Sequence, residues 1–190
     1  MSSSPFASST AATAAEACAR FNVKKEALAL LGEGMKPEEF AAALMANKHY
    51  VTGIEFMAHT IPPREAIWWG CLCLQHACGD NLLPADKEAC RAAVRWVGQP
   101  TEWNRAAVLA PAQTAGPASV AGGLAMAVYQ TGENVAPPNL PPMAPQPFAP
   151  AKTVAAAIKL ACTKADPVKI IETQRLFLEL GIRMAEGNTG

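Results

Sequence analysis

Apolar residues return at every third or fourth position along this chain, and no stretch alternates with period two. Phe40, Ala43 and Leu44 form one such stripe, which opens at Pro37 and fades at the polar pair Asn47-Lys48. Val51, Ile54, Met57 and Ala58 form the next, over residues 50–59. The same spacing predicts helices at residues 11–20, 24–31, 64–78, 84–97, 101–115, 116–129, 151–164 and 167–186. Proline and glycine punctuate them. Pro37, Pro84, Pro100 and Pro167 stand where a helix opens and a missing N–H costs nothing, while Gly79 and Gly98 close the helices over 64–78 and 84–97. Pro111 is expected to kink or shorten the seventh helix, and the Gly122-Gly123 pair lets a neighbouring backbone come close. The fold class predicted is all-α: one compact domain of about ten helices, loosely hairpin- or repeat-like.

Residues 135–150 interrupt the pattern. Pro137, Pro138, Pro141, Pro142, Pro145, Pro147 and Pro150 hold this stretch extended, and its Leu140, Met143 and Phe148 would be wasted in a free linker. It is read as a strap lying on the domain, with a partner-docking strap as the second reading. The organisation expected is a disordered Ser/Ala-rich tail over residues 1–10, a helical core over 11–134, the proline-rich strap over 135–150, and a C-terminal helix pair over 151–187 packed on the core.

Two helices read in more detail. In the last, Glu172, Arg175, Glu179, Arg183 and Glu186 follow one another at spacings of three and four, a ladder of alternating sign that marks the solvated face. Ile170, Ile171, Phe177, Leu178 and Met184 are then expected to pack inward. In the helix over 64–78, Arg64, Glu65, Gln75 and His76 fall within an arc of about 120° at about 100° per residue. Trp68 and Leu72 lie inside that polar arc and Trp69 at its edge. A tryptophan beside a leucine on a polar face needs a cover, either another part of the chain or a partner. Trp96 is expected in the core, and Trp103, in the first turn of its helix, half exposed.

The charge balance narrows the function. Sixteen basic and sixteen acidic residues give a net charge of zero, which argues against gripping nucleic acid or an anionic membrane. The N-terminal stretch shows neither the basic start nor the apolar middle of an export signal, so the expected compartment is the cytoplasm. Six cysteines are then read as reduced, packing thiols. Cys71 and Cys78 lie on one face of their helix, about 10 Å apart along its axis, and Cys73 and His76 lie opposite, so the four cannot close around one metal ion. Cys73 and His76 alone could supply two ligands, or a thiol and a base. His49 and His59 flank their helix without the pattern of a catalytic pair. No phosphate loop, dinucleotide fingerprint, zinc-protease motif or serine elbow is present. No catalytic residue and no cofactor is assigned.

Three segments carry a resemblance: residues 63–73 (Pro-Arg-Glu-Ala-Ile-Trp-Trp-Gly-Cys-Leu-Cys), Trp96 followed by residues 100–105 (Pro-Thr-Glu-Trp-Asn-Arg), and residues 136–142 (Ala-Pro-Pro-Asn-Leu-Pro-Pro). In this order they resemble an uncharacterised bacterial all-α family with a double-tryptophan helix and a Pro-Pro-x-Leu-Pro-Pro strap, over residues 17–185. That resemblance implies no activity and brings no catalytic residues. It implies a setting, that of an accessory protein of a type VI secretion system. The function expected is therefore a non-catalytic adaptor that binds another protein through Trp68, Trp69, Leu72, Trp103, Leu140 and Phe148. The alternatives are a thiol or metal site around Cys73 and His76, and a structural subunit of a homo-oligomer.

Overall fold

The computed structural model describes residues 6, 8–136 and 139–187. These residues form α1 (Ala14–Cys18), α2 (Lys25–Leu28), α3 (Pro37–Ala46), α4 (Tyr50–Thr60), α5 (Pro63–Cys78), α6 (Pro84–Gly98), α7 (Glu102–Ala107), α8 (Leu109–Ala115), α9 (Val120–Tyr129), α10 (Ala149–Lys164) and α11 (Ile170–Ala185). A single 3₁₀ turn, Pro167–Lys169, precedes α11, and no strand occurs among the described residues. The all-α reading holds.

Local chemistry sets most boundaries. Proline opens α3, α5 and α6. Thr13, Thr101 and Ser119 cap α1, α7 and α9 by accepting a hydrogen bond from a first-turn N–H. The expected helix over 101–115 is two helices: the chain breaks at Val108, between α7 and α8. Pro111 has no N–H to give the carbonyl four residues back, at residue 107, so the break falls there. Before the last helix, the Asp166 side chain accepts from the Val168 N–H, and the turn it opens is 3₁₀.

Two helices organise the packing. Nearly all of α9 is buried, and α5, α6, α8 and α10 surround it. A β-carbon on Gly122 would stand 2.4 Å from the Gly116 carbonyl oxygen, so the end of α8 can meet α9 only across a glycine. Gly122→Ala is expected to cost roughly 1–3 kcal/mol, read as a lower denaturation midpoint at unchanged helix content. The other organiser is α4, packed by α1, α3, α10 and α11, with Phe40 edge-on to Phe56 at 5.0 Å. Glu55 of α4 and Lys159 of α10 form an ion pair between the two groups of helices.

Two peripheral segments differ from expectation. Residues 8–10, read as part of a free tail, are held: the Thr10 N–H donates to the Thr60 carbonyl at 2.8 Å and the Ser8 hydroxyl to Glu65 at 3.1 Å. Phe6 is buried, an anchor that the Ser/Ala composition hides. Residues 1–5 and 7 of that segment lie outside the described residues. The strap is exposed along most of its described length, with Leu140 at 60% and Met143 at 55%, and it is tied down where it begins. Val135 N–H donates to the Met143 carbonyl, Met143 N–H to the Asn134 side chain, and the Tyr129 hydroxyl to the Ala136 carbonyl. Pro137 and Pro138 are outside the described residues. On α11 the charged ladder faces solvent and Phe177, Leu178 and Met184 are buried, but Ile171 is exposed, two residues beyond the 3₁₀ turn and two before the buried Thr173.

Candidate functional site

The adjacent tryptophans of α5 have different fates. Trp69 is fully buried, and its Nε1–H donates to the Phe177 carbonyl of α11 at 2.9 Å. Its ring fits there because residue 181 is glycine: a β-carbon would lie 2.7 Å from Cζ2. Trp69 is therefore core, and the expectation that it touches a partner is corrected. Trp68 and Leu72 are half-buried and pack against the same core, so the polar arc that seemed to strand them is largely covered by the chain itself.

Trp103 goes the other way. It is 82% exposed, more than its helix position suggested. The turn that carries it is rigid. Thr101 accepts from the Asn104 N–H at 3.2 Å, and the Asn104 side chain donates to the Gln99 carbonyl at 2.8 Å. Next to it, the buried Arg105 donates to both oxygens of Glu102 and, through Nη1, to the Tyr129 carbonyl at 2.6 Å. That guanidinium lies 4.9 Å over the Tyr129 ring, and its hydrogen bonds hold the Glu102 carboxyl below its ordinary pKa. Glu102 and Arg105 line a cleft of about 620 Å³ with Arg64, Trp96, Pro62, Pro63 and Pro100. Arg64 is itself fixed, donating to the Val97 carbonyl at 2.6 Å. Trp103 follows Glu102, a lining residue of this cleft, and its own ring projects from the hydrogen-bonded turn.

Leu140 is exposed and Phe148 half-exposed, on the strap and at its end. Phe148 does not belong with Trp103. It packs on Arg20 and His59, beside a second, smaller cavity.

The thiol alternative loses its geometry. Cys73 is fully buried while His76 is exposed and packs edge-on to Phe177 at 5.8 Å, so the two do not share one reachable site. All six cysteines are free. Burial pushes the Cys18 and Cys162 thiols up to about 11 and raises Cys73 as well, the opposite of what a nucleophile or ligand needs. Among the described residues no group of three or more His, Cys, Asp or Glu side chains could hold a metal ion. No helix there is long and apolar enough to cross a membrane.

Fold and surface together define an all-helical protein with a packed core and, among the described residues, a single strongly exposed tryptophan. Residues 40–185 match the family described as "Family of unknown function (DUF6931)", and the chain belongs to that family. No curated protein and no solved structure matches it.

Sequence reasoning missed one group. His59 is buried, stacked on Phe21 with ring centroids 5.1 Å apart, and its Nδ1 has no hydrogen-bond partner. The signal was present: residues 50–60 carry Glu55 as their one acidic or basic side chain besides His59, so a histidine in so apolar a helix is a candidate for burial.

Proposed function

We propose that this protein is a non-catalytic adaptor that binds another protein, with Trp103 as the anchor and the Arg64–Glu102 cleft beside it as the seat for an extended segment. The observation that carries this reading is the 82% exposure of Trp103 on a turn fixed by hydrogen bonds on both sides. An exposed indole is costly in water, and a rigid one loses little entropy on binding, which is the profile of an interface anchor. Leu140, on the strap, extends the apolar surface offered to a partner. A bacterial setting and an accessory role in type VI secretion come from the sequence resemblance alone and form part of the same proposal.

The test is Trp103→Ala in the intact chain, with affinity capture from the native host and a melting curve run in parallel. Proteins retained by the wild type should be lost by tenfold or more, roughly the 1–2 kcal/mol or greater cost of removing a hot-spot side chain, while the melting temperature stays put. Unchanged capture would reject Trp103 as the anchor. If light scattering of the wild type shows a dimer that Trp103→Ala dissociates, the partner is a second copy, and the homo-oligomer reading replaces the adaptor.

A further inference from the structure

The cavity beside Phe148 has a volume of about 300 Å³. Arg20, His59, Ile61 and Pro63 line it together with Phe148 and Pro150 at the start of α10. Its walls are flat and apolar: the Phe148 ring, two prolines, and the edge of the His59–Phe21 stack.

Its polar groups are unequally engaged. Arg20 is spent on the protein. Nη1 donates to the Thr10 hydroxyl and the His59 carbonyl, and Nη2 to the Thr10 carbonyl and to Glu16. With its charge matched by Glu16, it frames the cavity and is not positioned to seize an anion. His59 is the reverse. The residue is 4% exposed, yet Nδ1 has no partner. A buried nitrogen without a hydrogen bond is uncommon in native proteins, and a group from outside can complete it. Burial keeps this imidazole neutral, with Lys152 and Arg20 adding to the effect, so it offers a hydrogen-bonding nitrogen without charge.

One wall is poised to move. Phe148 stands edge-on to His59 at 6.0 Å and holds a left-handed backbone conformation, φ +57°, which bulky residues adopt rarely and at a cost. It is the N-cap of α10, with no side-chain cap bond, at the end of the strap, and its ring is 46% exposed.

We propose that this cavity is a binding site for a small neutral aromatic ring bearing one hydroxyl, a phenol, whose hydroxyl hydrogen-bonds to His59 Nδ1 when Phe148 swings aside. The flat walls suit a ring, the buried unpaired Nδ1 offers a place for one polar atom, and Arg20, with Nη1 and Nη2 taken up by Thr10, Glu16 and the His59 carbonyl, has no fork free for a carboxylate. The site is separate from Trp103 and does not rest on the adaptor reading.

The experiment titrates ¹⁵N-labelled protein with p-cresol and with toluene, following the imidazole nitrogens of His59 by long-range proton–nitrogen correlation. p-Cresol is expected to bind about five- to tenfold more tightly than toluene, the worth of one hydrogen bond, and to shift the Nδ1 resonance on saturation. His59→Phe should remove the preference for p-cresol and keep toluene binding. Because the wild-type comparison is complete in itself, poor folding of that variant does not spare the proposal. Equal affinity for the two probes overturns it. So does an Nδ1 resonance that stays in place, as it would if an ordered water already satisfied the nitrogen and were never displaced. A third probe, N-acetyltyrosinamide, distinguishes the sources of the ring. Binding at least as tight as p-cresol assigns the cavity to a tyrosine side chain, and loss of binding assigns it to a free phenol.

Discussion

Replacing Trp69 with alanine should lower the free energy of unfolding by about 3–5 kcal/mol, the range seen when a large aromatic leaves a packed core. The side chain has no solvent exposure, it joins α5 to α11, and its Nε1–H is the buried partner of the Phe177 carbonyl. Against the roughly 5–15 kcal/mol that holds a domain together, such a loss takes a third or more of the total. Trp69→Phe separates the two contributions. It keeps most of the apolar area and gives up the hydrogen bond, so a cost of about 1–3 kcal/mol is expected. Trp68→Ala is the control. Its half-buried ring should cost distinctly less, and a urea titration giving the same loss for both would show that Trp69 is no special anchor.

That difference between neighbours shows where sequence reading stops. The boundaries of α3, α4, α5 and α6 were legible because proline, acids and glycine act within one turn of where they stand. Trp69 was illegible because the space it fills is made by Gly181, more than a hundred residues away, and no periodicity within α5 records that pairing. The polar arc of α5 pointed outward correctly at Arg64, Gln75 and His76. It failed at Trp68 and Leu72, where the chain covers its own apolar surface. Pro111 announced a break whose place follows from the hydrogen bond it cannot make, at residue 107, and not from its own position. Trp103 was the one candidate whose exposure local reasoning could approach, since a first-turn position between Glu102 and Asn104 turns toward water. The cavity at His59 needed α4, the residues around Thr10 and the strap brought together, and none of these refers to another in the sequence.

His59 also makes the fold sensitive to mild acid. In the folded chain, burial holds the imidazole down to a pKa of about 4, with Lys152 and Arg20 as like charges facing it and Glu16 engaged by Arg20. In the unfolded chain the ring titrates near the ordinary value of about 6.5. Between these values the unfolded state binds the proton and the folded state does not, so the His59 contribution to the free energy of unfolding falls as pH drops from about 6.5 toward 4 and levels off below. A shift of this size corresponds to roughly 3 kcal/mol across the window. The carboxylates add little over most of that range, because they begin to protonate near its lower end. Urea unfolding at pH 7.0 and at pH 4.5 measures the fall, and His59→Phe, which keeps a ring against Phe21 and removes the titrating group, should flatten most of it. A fall that persists at full size in that variant would locate the acid sensitivity elsewhere. A phenol bound at His59 Nδ1 should deepen the fall, because it favours the folded, neutral form and protonation removes the nitrogen's lone pair, coupling cavity occupancy to the same proton.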